Sequence, residues 1–233
     1  MKLYVGTSGY SYKEWKGSFY PEEIKPDKML EFYSEQFSTV EINNTFYRVP
    51  QRSVLETWRQ QVPEDFRFSI KAPQRITHMK KLKDVDEDIR YFIDIIISLG
   101  NKLGIVLFQF PPYFRKNLEL LKNFTNLLPK NITAAFEFRH ESWFGDDLYS
   151  FLNEKSFPLC LSETDKEPDI GITGTASKGY LRLRKSDYSK KEIKNWHDKI
   201  KRQNWETVFV FFRHEDEAKG PKFARQLIDL QKG

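Results

Sequence analysis

Eight short apolar or alternating runs, each bounded by polar or turn-forming residues, constrain this chain more than any other feature of its sequence. They fall at residues 3–6, 39–45, 66–71, 104–110, 133–138, 159–163, 180–184 and 208–212. Helical periodicity occupies 27–37, 53–61, 84–100, 118–128, 148–155, 190–203 and 217–231. Strand followed by helix, repeated, predicts an α/β fold with a parallel sheet and right-handed crossovers. The strand count is that of a closed (β/α)8 barrel of the TIM type, and 233 residues lie close to the roughly 250 such a barrel uses. An open doubly wound sheet alternates in the same way, so closure rests on the count. Hydrophobic residues at 39%, with 20 phenylalanines, supply a core of large side chains. No break in composition marks a linker, which predicts one domain over 1–233. The connection between the sixth and seventh strands departs from the pattern. Residues 165–178 include Pro168, Gly171 and Gly174 and leave little room for a helix, so an irregular loop is expected.

A parallel strand covered on both faces normally reads as an almost unbroken apolar run. Several of these do not. In Val40-Glu41-Ile42-Asn43-Asn44-Thr45 the strand period puts Glu41, Asn43 and Thr45 on one face. Ala135-Phe136-Glu137-Phe138-Arg139 repeats the split with Glu137 and Arg139, and Tyr180-Leu181-Arg182-Leu183-Arg184 repeats it with two arginines. Lys71, Gln109 and Glu163 end their strands on the same expected face. In a closed barrel all of these converge at the carboxyl-terminal mouth, where barrels build their chemistry. An unpaired buried charge costs several kcal/mol, so Glu41 and Glu137 are expected to pair with Arg139, Arg182 or Lys71.

The first loop adds aromatic rings: Gly6-Thr7-Ser8-Gly9-Tyr10-Ser11-Tyr12-Lys13-Glu14-Trp15, then Phe19-Tyr20-Pro21. Its glycines permit a sharp turn and close approach of backbone N–H groups to an anion, although the spacing is not that of a P-loop. Tyr10, Tyr12 and Trp15 could stack on a base or sugar, or pack over the mouth. Of the 4 histidines, His78, His140 and His214 follow the third, fifth and eighth strands, while His197 lies in a predicted helix. With Glu41, Glu137 and Glu163 the first three are candidates for a divalent metal site or for acid–base groups. No His-Glu-x-x-His or paired-cysteine spacing is present, so the ligands of any metal stay unassigned. Neither a nucleophile elbow nor a dinucleotide fingerprint occurs.

The net charge of +5, from 38 Lys and Arg against 33 Asp and Glu, favours anionic partners only weakly. Much of it alternates in sign, as in Lys80, Lys81, Lys83, Asp84, Asp86, Glu87 and Asp88, which read as a solvated helix start. Cys160 is the only cysteine, which excludes an intramolecular disulfide and favours a reducing compartment. It is expected to act as a buried small hydrophobe. The first residues carry no apolar signal core, and the apolar stretch 92–99 is too short to span a bilayer. A cytoplasmic protein without a membrane partner is expected. Nothing in the sequence sets an oligomeric state.

Several multi-residue segments, in order, resemble the family known as domain of unknown function 72, the YecE-like proteins. They are Gly6-Thr7-Ser8-Gly9-Tyr10 with Trp15 and Phe19-Tyr20-Pro21; Val40-Glu41-Ile42-Asn43 with Thr45-Phe46-Tyr47-Arg48; and Lys71-Ala72-Pro73 with Ile76-Thr77-His78. Leu107-Phe108-Gln109-Phe110-Pro111-Pro112 and Phe136-Glu137-Phe138-Arg139-His140-Glu141-Ser142-Trp143-Phe144 follow. The resemblance covers the whole chain. It implies a barrel of the triose-phosphate isomerase type without an established activity. Tyr10, Trp15, Glu41, Asn43, Lys71, His78, Gln109, Glu137, Arg139, His140 and Arg182 stand at the family's motif positions, and no catalytic role comes with them. The family pattern leads the seventh strand into His-Gly and the eighth into Asn-Asn. This chain instead has Arg182-Leu183-Arg184-Lys185 and Phe211-Phe212-Arg213-His214, which makes the expected mouth more basic.

The leading expectation is an enzyme that binds a phosphate-bearing substrate, nucleic acid included, at the mouth. Glu41, Glu137, His78 and His140 are its catalytic candidates, and Tyr10, Trp15, Asn43, Lys71, Gln109, Arg139 and Arg182 its substrate-binding ones. One alternative is a sugar or sugar-phosphate isomerase or glycosidase working with two carboxylates. Another is a non-catalytic module that holds nucleic acid or an anion by charge and stacking.

Overall fold

The computed structural model describes residues 1–167, 171–213 and 218–232. Its strands are β1 (Lys2–Thr7), β2 (Thr39–Ile42), β3 (Arg67–Lys71), β4 (Leu103–Gln109), β5 (Thr133–Glu137), β6 (Cys160–Glu163), β7 (Lys178–Leu183) and β8 (Thr207–Phe212). The helices between and after them are α1 (Met29–Gln36), α2 (Arg52–Gln61), α3 (Asp86–Ile96), α4 (Leu118–Thr125), α5 (Asp146–Glu154), α6 (Lys190–Lys201) and α7 (Lys219–Lys232). No helix separates β6 from β7 among the described residues, in line with the glycines of that segment; Pro168 lies outside them.

The strands form two parallel sheets of four, ordered β1-β8-β7-β6 and β2-β3-β4-β5. Two narrow seams connect them. Ser8 bridges to Glu41, with the Gly9 N–H donating to the Glu41 carbonyl at 2.8 Å, and Phe136 bridges to Leu159. The first seam depends on Gly6, where a Cβ would lie 1.9 Å from the Thr39 carbonyl oxygen. The Tyr33 hydroxyl of α1 ties the same seam, accepting from the Thr7 N–H at 2.8 Å and donating to the Thr39 carbonyl at 3.0 Å.

Alternation along each strand sorts side chains into two apolar clusters. Val208, Val210 and Phe212 of β8 join the larger one, which includes Tyr33, Phe92, Leu121, Trp196 and Leu227 from the helices. Phe209 and Phe211 join a smaller one with Tyr4, Ile105, Leu107, Ala135, Cys160 and Tyr180. Both sheets contribute to this second cluster, so it binds their helix-free faces to each other. No helix among the described residues is long and apolar enough to cross a membrane.

Local chemistry accounts for where elements end. β2 is shorter than the expected 39–45 because Asn43 leaves the extended region (φ −104°, ψ −19°) and Asn44–Phe46 forms a tight turn. The periodic stretch 84–100 divides: α3 stops at Ile96, and tighter turns run to Lys102 through Gly100 at φ 57°. Before α3 the charged run is loop, with Lys81, Leu82 and Asp84 in left-handed backbone. Asp86, Glu87 and Asp88 then occupy the first turn of the helix, where its dipole favours negative charge. Ser189 and Glu192 form a capping box at the start of α6.

Candidate functional site

The parallel register sets Gln109 beside Glu137 at the ends of β4 and β5. β2 carries Glu41, and from the other sheet β7 brings Tyr180 and Arg182. These side chains meet. The Arg182 guanidinium donates from Nη2 to Glu41 Oε1 at 2.9 Å and from Nη1 to Glu137 Oε2 at 2.7 Å. It therefore bridges two carboxylates, with Arg182 3% exposed, Glu41 0% and Glu137 1%.

Both acids are otherwise saturated with donors. Glu41 Oε1 also accepts from Ser8 Oγ at 2.8 Å and Asn43 Nδ2 at 3.0 Å, and its Oε2 accepts from the Tyr180 hydroxyl at 2.7 Å. Glu137 Oε1 accepts from Gln109 Nε2 at 2.8 Å, Arg139 Nε at 3.0 Å and Arg184 Nη2 at 3.4 Å. Burial alone would push both carboxyls up. Around Glu41 the Arg182 charge and the Asn43, Tyr180 and Ser8 donors outweigh it, and around Glu137 the Arg182, Arg184 and Arg139 charges do so. Both acids are held below the usual carboxylate range, Glu137 far below it.

Among the described residues the cations exceed the acids. Arg184 donates to Glu137 and to Ser162 Oγ, and Arg139 reaches Glu137 with its side chain still 36% exposed. Lys71 ends β3 half-buried, with Nζ 4.0 Å from the centroid of the Phe46 ring. Burial and the nearby Arg182 charge lower its pKa from 10.5 to about 8. His78 packs edge-on to the same ring at 4.8 Å, with its Nδ1 2.8 Å from Thr77 Oγ1. Burial, then Lys71 and Arg139, lowers its pKa to about 4, so it is neutral at physiological pH. Among the described residues the buried Nε atoms of Arg182 and Arg184 have no hydrogen-bond partner.

Two recesses flank this cluster. One, of about 520 Å³, is lined by Arg139, Arg184, Ser162, Cys160, Phe138 and Phe144 among others. The other, of about 320 Å³, is lined by Gly9, Tyr10, Tyr12, Asn43 and Asn44.

Glu41, Asn43, Gln109, Glu137, Arg139 and Arg182 are thus joined by direct hydrogen bonds, and Lys71 and His78 lie within electrostatic reach. Other candidates lie elsewhere. Glu163 faces α6, where its Oε2 accepts from the Tyr188 hydroxyl at 2.7 Å and Trp196 Nε1 at 2.9 Å; alternation puts Ser162 on the inner face instead. His140 caps its own turn, its Nδ1 accepting from the Ser142 N–H at 3.1 Å. Trp15 is 1% exposed among Tyr12, Phe19 and Tyr20, which leaves no ring face open to a ligand. Tyr10 is half-buried against Tyr33 and Trp58 but lines the smaller recess. His214 lies outside the described residues. Among the described residues no group of three or more His, Cys, Asp or Glu is placed to hold a metal ion.

Tyr180, Ser8 and Ser162 escaped the sequence reading. Tyr180 had a usable signal, since it lies two residues before Arg182 on the same strand face. Cys160 is buried as expected, but beside the site, with its Sγ 3.8 Å from Glu137 Oε2.

The chain is similar over 98% of its length to the UPF0759 protein YunF of Bacillus subtilis, at 27% identity and covering 94% of that protein. It is 30% identical to the UPF0759 protein YecE of Escherichia coli K12 over 143 residues, which cover 61% of this chain and 50% of that one. The crystal structure of a DUF72 family protein from Thermotoga maritima superimposes with a TM-score of 0.88 at 28% identity, covering 100% of both chains. The family model described as "Protein of unknown function DUF72" matches residues 4–232, and the chain belongs to that family.

Proposed function

We propose that the two sheets close through their seams into one (β/α)8 barrel, and that the protein is an enzyme acting on a phosphate-bearing small molecule at the carboxyl ends of its strands. The observation that carries this reading is the charge balance of the cluster. Among the described residues, Arg139, Arg182, Arg184 and Lys71 supply four positive charges against two from Glu41 and Glu137, a surplus of two. Arg139 and Arg184 face the 520 Å³ recess, a size suited to a small ligand. Arginine forks bind phosphate in two-point fashion, so these two are assigned to the phosphate.

The roles first expected of the acids pass to Lys71. Glu41 and Glu137 are too fully engaged by donors, and too far below neutrality, to take up a proton. Lys71, near 8, exchanges one at physiological pH. A two-carboxylate glycosidase needs one acid raised toward neutrality, and burial here is overcome in both.

Calorimetric titration of ribose 5-phosphate against ribose tests the reading. Binding of the phosphorylated form alone, weakened about tenfold or more by Arg139→Met or Arg184→Met, is expected. Equal affinity for both compounds would overturn it. A short single-stranded oligonucleotide presents the same phosphate chemistry as a polymer. Binding of that probe with a steep salt dependence, and none of ribose 5-phosphate, would move the assignment to nucleic acid.

A further inference from the structure

A second cavity, of about 380 Å³, opens at the amino-terminal ends of the strands, across the interior apolar cluster from Glu41 and Glu137. Its aromatic wall is the stacked pair Tyr4 and Phe209, with centroids 4.7 Å apart and planes within 10°. Arg67 and Lys178, the first residues of β3 and β7, line it as well. The Arg67 guanidinium lies 5.9 Å from the Tyr4 ring centroid and Lys2 Nζ 4.9 Å from it. Among the described residues the Arg67 guanidinium hydrogen-bonds only through Nη1, to the carbonyls of Glu64 and Phe66 at 2.9 Å each, and Lys178 Nζ donates to Thr133 Oγ1 at 2.8 Å. Among the described residues no Asp or Glu lines the cavity, and neither Arg67 nor Lys178 is paired with a carboxylate.

The wall beside this pair is opened by a backbone irregularity. The β3–β4 register slips between Phe68 opposite Leu103 and Ile70 opposite Val106, which bulges β4 around Gly104. A Cβ on Gly104 would lie 3.1 Å from the Phe68 carbonyl oxygen and 3.2 Å from the Phe209 ring, so any larger residue would press on the aromatic wall.

Half-buried cations without carboxylate partners among the described residues, beside two lining rings that are 5% and 4% exposed, complement a small organic anion with an apolar ring. We propose that this cavity is a second ligand site, for an aromatic carboxylate or phosphate, with Arg67 and Lys178 holding the anion and Tyr4 and Phe209 the ring. It is separate from the site at the carboxyl ends and does not depend on the reaction performed there.

Phenyl phosphate is the probe, with benzoate as its carboxylate counterpart and inorganic phosphate as the control without a ring. Amide chemical shifts locate binding and give the affinity of each site separately. Saturable binding of phenyl phosphate is expected, with shifts at Gly104, Thr133 and Lys178. Affinity read from the Gly104 and Thr133 shifts should fall about tenfold or more in Arg67→Met or Lys178→Met. Gly104→Ala narrows the cavity without removing a charge and should weaken phenyl phosphate more than inorganic phosphate. It carries the test together with Lys178→Met if thermal melting shows that Arg67→Met fails to fold. Shifts confined to the carboxyl ends, equal affinity in the substituted proteins, or no saturable binding would each overturn the proposal.

Discussion

Arg182 concentrates the electrostatics of the site in one side chain. Removing it leaves Glu41 and Glu137 buried without their shared cation, and breaking a buried pair in this way costs about 3–5 kcal/mol. Arg182→Met should show that loss in urea denaturation at neutral pH, and Arg182→Lys should recover only part, because one ammonium cannot reproduce the two-pronged bridge. The sign of the pH dependence follows. In the native protein both carboxyls have lowered folded values, so they contribute stability above the ordinary carboxylate range and lose it as pH falls through the folded value. Without Arg182, burial is less opposed and raises both, so the gap between Arg182→Met and the unaltered protein should narrow on acidification; a constant gap would contradict the assignment. Lys71 works in the opposite sense. Its folded value of about 8 lies below its ordinary 10.5, so between those limits the unfolded chain binds more protons and stability rises with pH. Lys71→Met removes the titrating group while keeping an unbranched chain over Phe46. Melting temperatures from pH 8 to 10 should therefore climb in the native protein relative to this variant, and parallel curves would refute the shift.

At the scale of strands and helices, the seam between β1 and β2 has the least tolerance. A methyl group on Gly6 would meet the Thr39 carbonyl at 1.9 Å, and backbone cannot yield as a flexible side chain does. Gly6→Ala should thus cost about 3 kcal/mol or more, at or above the upper end of ordinary overpacking, read as a lowered denaturation midpoint. This seam was invisible in the sequence, where Gly6 looked like a turn residue. What could be read was everything set by local period. The alternation at Val40-Glu41-Ile42, Phe136-Glu137-Phe138 and Leu181-Arg182-Leu183 put Glu41, Glu137 and Arg182 on the inward face, and the structure joins them by hydrogen bonds. The same rule misplaced Glu163, because a run of residues fixes the period of a strand but not its phase. With Cys160 and Ser162 inward, Glu163 turns to the Tyr188 hydroxyl and the Trp196 indole, two donors far along the chain that no local pattern announces. Trp15 shows the complementary limit. An aromatic loop that stacks on a ligand and one that packs on Phe19 and Tyr20 have the same composition, and only tertiary contacts separate them.

Whether the two sheets behave as one body is a question for the whole molecule. Their seams are narrow, each with one isolated bridge, whereas the interior holds Tyr4, Phe209 and Tyr180 from one sheet against Ile105, Leu107 and Ala135 from the other. Arg182 crosses the same divide, since it belongs to β7 while Glu41 and Glu137 belong to β2 and β5. If one sheet opened alone, it would expose the shared apolar cluster and separate a buried cation from both its acids. Partial unfolding should therefore gain little entropy for a large loss of contacts, and the chain should melt in one step. At about 0.7 kcal/mol per residue, 233 residues correspond to an unfolding enthalpy of about 160 kcal/mol near 60 °C. One cooperative unit requires the van't Hoff enthalpy to match that calorimetric value; two sheets melting independently would bring it to about half. Scanning calorimetry separates the two outcomes. Arg182→Met should lower the temperature of the single transition without splitting it, because the interior cluster still joins the sheets after the cation is gone.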